Sequence, residues 1–138
     1  MTLVDANVLI DLMTNDPNWA DWSEEQLVAC AAQGDVGINP VIFAEVSVAY
    51  TTEEKFEAAL GRLHLLRWEL PYAAGFRAGK AFLAYRRQGG DKRSPLPDFY
   101  IGAHAEVSQY RLLTRDPRRY RSYFPSLHLI CPEYPMTQ

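Results

Sequence analysis

The sequence predicts an α/β fold built on a mainly parallel sheet of about five strands. Three observations carry that expectation. Short apolar runs alternate with helix-period patterns along the whole chain, which is the ordering of β-α-β units. Several helical patterns open on capping or proline signals, and two close on glycine. Acidic side chains fall where several apolar runs end, and parallel sheets bind their ligands along that edge.

Element by element, Thr2 to Val4 reads as a buried strand ending at Asp5. A helix is expected from Asn7 with Val8, Leu9 and Leu12 inward, broken by Asn15-Asp16-Pro17-Asn18. Ser23-Glu24-Glu25-Gln26 has the form of a capping box, followed by a helix that turns Leu27, Cys30 and Ala31 inward and stops at Gly34. Val36 to Ile38 is the second strand. Pro40 opens the next helix, which carries Phe43, Glu45, Val46 and Ala49. Thr51-Thr52-Glu53-Glu54 offers another capping box before Phe56, Leu60 and Leu63 at helical spacing. Leu65 to Leu70 is a weaker third strand, interrupted by Glu69. Pro71 starts a long helix through Arg87, stopped by Gly89-Gly90, and 88–97 is a loop by composition. Asp98 heads a helix running to about Gln109, with Gly102, Ala103 and Ala105 small enough for close packing against the sheet. Leu112 to Thr114 and Leu127 to Ile130 complete the strands.

With 138 residues, 48% apolar and 22% charged, the chain suits a single globular domain, 1–138. No apolar stretch approaches the roughly 20 residues that span a bilayer. The N-terminus has none of the marks of a signal peptide, so a cytoplasmic location is expected. Cys30 and Cys131 have neither the number nor the spacing of a structural zinc site and are expected to be reduced. The net charge of −3 conceals an asymmetry: residues 1–76 hold 3 basic and 12 acidic side chains, whereas residues 77–138 hold 11 basic and 5 acidic. An acidic protein can thus present a basic face to a polyanion.

Four acids share a topological address. Asp5 ends the first strand, Glu45 lies in the helix after the second, Asp98 starts a helix, and Asp116 follows a late strand. Each has a plain structural explanation, as a cap or a turn residue. Glu45 resists it, because Val41-Ile42-Phe43-Ala44-Glu45-Val46 is otherwise apolar and a charge there wants a partner. Carboxylates gathered without countercharge raise one another's pKa. A hard divalent cation such as Mg²⁺ relieves that conflict, and it can activate water and stabilise charge on a phosphoryl oxygen. Beside Asp116, the residues Arg115, Arg118, Arg119 and Arg121 interleave with Tyr120 and Tyr123, a mixture suited to phosphate attraction and base stacking. Arg86, Arg87, Lys92 and Arg93 flank the loop before Asp98. His104-Ala105-Glu106 has no P-C-x-x-C after it and is read as chance. There is no phosphate-cradling glycine loop and no G-x-S-x-G elbow.

Four segments resemble the motifs of the PIN-domain family, in order: Thr2-Leu3-Val4-Asp5-Ala6-Asn7, Ile38-Asn39-Pro40-Val41-Ile42-Phe43-Ala44-Glu45-Val46, Pro97-Asp98-Phe99-Tyr100-Ile101-Gly102-Ala103, and Leu112-Leu113-Thr114-Arg115-Asp116. The tail from Tyr120 to Pro132 is similar to that of VapC-type toxins. The resemblance implies a PIN fold, a central mainly parallel sheet with helices on both faces, and divalent-metal-dependent RNA cleavage. It implies Asp5, Asp98 and Asp116 as metal ligands, with Glu45 completing a catalytic set of four acids, and Asn7 and Thr114 as supporting polar groups. Mg²⁺, with Mn²⁺ as the other option, is the implied cofactor. Arg115, Arg118 and Arg119 are the expected RNA contacts. Asp11 is left outside the site, one helical turn beyond the strand end. The implied partners are an RNA substrate, a cognate VapB-like antitoxin and a second copy in a homodimer, with no membrane. Trp19, Trp22, Phe56, Leu60 and Leu63 are read mostly as core, with an apolar groove for an antitoxin helix as the other option for some of them. The alternatives are a Mg-binding receiver-like signalling module and a PIN-fold RNA-binding protein without a toxin role; the first fits less well because no Lys follows a late strand and no paired acids end the first one.

Overall fold

A computed structural model describes residues 1–90 and 95–133, so Lys92 and Arg93 lie outside the described residues. Within these, five strands and seven helices alternate: β1 (Thr2–Val4), α1 (Ala6–Met13), α2 (Ala20–Gln33), β2 (Val36–Ile38), α3 (Pro40–Ser47), α4 (Glu53–Gly61), β3 (Leu66–Arg67), α5 (Tyr72–Arg87), α6 (Leu96–Ser108), β4 (Arg111–Leu113), α7 (Arg118–Tyr123) and β5 (Leu129–Ile130). The sheet runs β3-β2-β1-β4-β5 and every pairing is parallel. The chain therefore winds outward from β1 to one side and returns to the other through β4. The switch in strand order falls between β1 and β4, where open parallel sheets bind their ligands.

Successive residues of a strand point to opposite faces. Thr2, Leu3 and Val4 are all fully buried, so both faces of the central strand are covered, as in other parallel sheets. The core continues through Leu9, Ile38, Ile42, Phe99, Ile101, Leu112 and Leu113. No helix among the described residues is long and apolar enough to cross a membrane. Cys30 is buried and Cys131 partly so, both as free thiols.

Several local expectations shift. Ser23 is not a cap. The second helix begins at Ala20, and Ser23, wholly buried inside it, donates its hydroxyl to Asp11 at 3.0 Å. Leu27 and Cys30 face the core, but Ala31 is exposed. Thr52 rather than Thr51 caps α4, accepting from the Lys55 amide at 3.2 Å. The third strand contracts to Leu66–Arg67, both exposed, because it sits at a sheet edge with one neighbour only. Helix α6 starts two residues before Asp98 and so carries it in its first turn, where the positive end of the helix dipole favours an acid. Phe56 and Leu60 are buried and Leu63 is half-buried against the same core. Phe56 and Leu60 thus belong to the core, the main reading of this stripe from the sequence.

Candidate functional site

Asp5 is placed by the strand it ends. Its backbone N–H donates to the Leu113 carbonyl at 2.9 Å, continuing the ladder with β4, and its side chain caps α1 by accepting from the Ala6 amide at 2.8 Å. The other carboxylate oxygen, Oδ2, accepts from the Thr114 hydroxyl at 2.8 Å, the Tyr120 hydroxyl at 2.9 Å and the Asn7 amide nitrogen at 3.4 Å. Asn7 also donates to Thr114 Oγ1 at 3.3 Å and accepts from the Arg115 amide at 3.0 Å. It thereby clips the end of β1 to the end of β4. Asn7 and Thr114 are thus held against Asp5.

Asp5, Asn7, Asp98, Asp116, Arg118, Arg119, Tyr120, Ser122 and Tyr123 line one cleft of about 470 Å³ over the β1–β4 edge. Glu45 stands close enough for its charge to act on the same group. Burial pushes the Asp5 carboxyl up to about 6, and the neighbouring Asp98 adds to the rise, against the hydrogen bonds from Thr114, Tyr120 and Ala6. Burial likewise pushes Glu45 up to about 7, with Asp5 and Asp98 adding to it. Glu45 Oε1 is a buried oxygen without a hydrogen-bond partner. Asp98 is raised by burial despite a 2.6 Å ion pair with Arg119. Asp116 goes the other way: half-exposed, it is held below the usual carboxylate range by Arg118, which bonds both its oxygens at 3.1 and 3.2 Å.

As the side chains stand, no three acidic, imidazole or thiol groups among the described residues converge as a ready-made ligand set. Two of the four acids are turned to arginines, which explains the dispersal. The donor set nonetheless suits a hard cation. It is all oxygen, burial pushes two members up to about 6 and 7, and one buried oxygen lacks a hydrogen-bond partner.

The arginines separate into two kinds. Arg118 and Arg119 line the cleft. Arg115 does not. Its guanidinium grips Asp11 through two bonds of 2.8 and 3.1 Å and lies 5.4 Å from the Trp19 ring. Asp11, 1% exposed, is a structural anchor for the loop after β4, outside the cleft as expected. The tyrosines separate too. Tyr120 is 1% exposed and cannot stack on a base; its ring is core and its hydroxyl serves Asp5. Tyr123 borders the cleft and donates to Gln88 at 3.0 Å. Reading Tyr120 as an outward aromatic misses its role. The available signal was the i, i+4 spacing to Phe124, which marks one apolar face of a short helix. Gly102 lets that helix in: a Cβ there would come within 2.6 Å of the Phe124 ring and 3.1 Å of Tyr120. The small residue thus serves α7 as well as the sheet.

A family model described as PIN domain matches residues 2–124. Among curated proteins, none matches the sequence. Solved structures with the same fold include a chain of VapBC2 from Rickettsia felis bound to a promoter DNA fragment (TM-score 0.75, 16% identity, covering 96% of this chain and 98% of that one). A chain of DNA-bound VapBC from Salmonella typhimurium gives a TM-score of 0.72 at 18% identity, covering 94% and 96%. A chain of a toxin–antitoxin complex from Klebsiella pneumoniae gives 0.65 at 20%, with the same coverage.

Proposed function

Because the chain belongs to the PIN-domain family, we propose that it is a divalent-metal-dependent endoribonuclease and the toxin of a toxin–antitoxin pair. The observation that carries the nuclease reading is a pair of desolvated acids, Asp5 at the switch point of the sheet and Glu45 near enough for the two charges to act on each other, with one Glu45 oxygen buried and unpartnered. Buried carboxylates with so little countercharge call for a cation. Family membership decides against the receiver-like alternative.

Asp5, Asp98 and Asp116 would hold Mg²⁺ or Mn²⁺, with Glu45 binding directly or through water. The cation would supply a lowered pKa for bound water and charge stabilisation at a phosphoryl oxygen. Asn7, Thr114 and Tyr120 hold the Asp5 carboxylate in one orientation. Arg118 and Arg119 stand at the cleft to meet backbone phosphates, and Tyr123 offers a ring edge beside them. Arg115, tied to Asp11, contributes by holding the loop that carries Asp116.

The toxin role is supported by the shared fold with VapBC and toxin–antitoxin chains. It brings with it a VapB-like antitoxin, a homodimer and action in the cytoplasm. Tyr72 and Phe76, 99% and 73% exposed on α5, are apolar surface suited to a protein partner. The decisive experiment is cleavage of RNA by the purified chain. Activity should depend on Mg²⁺ or Mn²⁺ and stop in excess chelator; undiminished cleavage in chelator rejects the metal-dependent reading. Expression of the chain alone should arrest growth, and Asp98→Asn should relieve it. A folded, RNA-cleaving chain that is harmless at high level would leave a nuclease without a toxin role.

A further inference from the structure

We propose that Arg119 is a built-in counter-ion of the cleft: it holds Asp98 while no divalent cation is bound, is displaced when the cation arrives, and only then becomes available to an RNA phosphate. The inference rests on the nuclease reading above, since it needs both the cation and the RNA.

The geometry sets up a direct competition. Arg119 Nη1 lies 2.6 Å from Asp98 Oδ2. A guanidinium has donors only and cannot become a ligand, and at this distance it takes up a lone pair of Oδ2 while its positive charge repels a cation approaching Asp98. The pair is also accessible, with side chains 40% and 32% exposed, so water and ions reach it without unfolding. Asp98 has reason to prefer a stronger cation. It shares the cleft with two further carboxylates, Asp5 and Asp116. One guanidinium leaves the cluster net negative, whereas a divalent ion brings twice the charge to the same centre.

Once released, Arg119 remains at the cleft wall. Its guanidinium lies 5.9 Å from the Tyr85 ring, which can keep it there. A phosphate oxygen pair is the anion that best matches its planar fork. Cation and RNA would then bind with positive coupling, each raising the other's affinity by the same factor. The other arginines are placed differently. Arg118 pairs with Asp116 only two residues away, at 83% and 52% exposure, where screening weakens the bond. Arg115 is anchored on buried Asp11. Arg119 is the arginine that bridges two elements, α7 and α6, across the cleft.

The test uses the full chain in wild-type, Arg119→Gln, Arg119→Lys and Asp98→Asn forms, each checked for an intact thermal transition. Calorimetry with Mn²⁺ alone reads cation affinity. Fluorescence anisotropy with a single-stranded 2′-O-methyl oligoribonucleotide, with and without Mn²⁺, reads the coupling. Arg119→Gln should bind Mn²⁺ about tenfold more tightly than wild type, since it loses both a competitor and a repelling charge. Arg119→Lys, which keeps the charge, should stay near wild type. Mn²⁺ should strengthen oligonucleotide binding in wild type, and this gain should shrink at least about threefold in Arg119→Gln. If Asp98→Asn loses Mn²⁺ while Arg119→Gln binds it no better than wild type, the displacement is wrong and the cation site stands. Equal Mn²⁺ behaviour in wild type and Asp98→Asn removes the cation site, and the inference with it.

Discussion

The floor and the rim of the cleft are built from the same acids in opposite circumstances. On the floor, burial pushes Asp5 up to about 6, and Glu45, on α3 outside the cleft's lining but near enough for its charge to act on Asp5, is pushed up to about 7. Their partners are neutral donors or, for Glu45 Oε1, none. On the rim, Asp98 and Asp116 each carry an arginine from α7, and Asp116 falls below the usual range. Burial explains the contrast for Asp116, whereas Asp98, between the two, is still raised by burial despite its arginine. A carboxylate on a sheet edge between two helices loses water and can be compensated only by what the backbone and short polar side chains offer, whereas one at the surface is reached by long flexible cations. The floor is rigid and short of positive charge; the rim is neutralised by groups that can let go.

The comparison breaks first on ligand loss. Asp5→Asn should reduce metal-dependent RNA cleavage by at least about a hundredfold, because it alters the carboxylate held by four donors at the strand end. Asp116→Asn should cost about tenfold, since its charge is already spent on Arg118. Single-turnover rates at saturating Mg²⁺ measure both, and equal losses would erase the distinction between floor and rim.

A packing substitution sharpens it next. Gly102→Ala forces a methyl group against Phe124 and Tyr120 and should lower the unfolding free energy by about 1–3 kcal/mol in chemical denaturation. Because α7 carries both the floor's Tyr120 and the rim's arginines, cation affinity should fall with it. A variant of wild-type stability would mean that α7 has room to shift.

Protonation of the floor gives a smaller effect with a definite sign. Burial raises Asp5 and Glu45 in the folded state above their ordinary values near 4. Their contribution to stability is therefore complete below about pH 4 and is lost as the pH rises towards 7. The metal-free protein should melt at a higher temperature at pH 5 than at pH 8. Glu45→Gln should flatten that slope and stabilise the metal-free form at pH 8 by about 1 kcal/mol, after allowance for the solvent that still reaches the side chain. A steeper slope in the variant would assign the effect elsewhere.

The smallest effect belongs to the rim. Arg118→Ala should weaken binding of single-stranded RNA only a few-fold, and reduce the slope of log affinity against log salt by about 0.7. An unchanged slope would make Arg118 a solvated partner of Asp116 and nothing more.

What was legible in the sequence was local: where apolar runs stop, where helices start, and which acids fall on those boundaries. Strand period, proline and small-residue signals act over a few residues, so β1, β2 and β4 and the positions of Asp5, Glu45, Asp98 and Asp116 could be read without a structure. The four motif-like segments added the fold family, now matched over residues 2–124. The pairings were decided only by the tertiary structure. Tyr120 reaches Asp5 across 115 residues, Arg115 reaches Asp11 across 104, and Arg119 reaches Asp98 across 21. Nothing local distinguishes an arginine that will face a phosphate from one locked on a buried carboxylate, or a tyrosine that stacks from one that caps a strand end. That choice depends on which side of a six-residue helix meets the small face of α6, and it is made by burial, not by residue type.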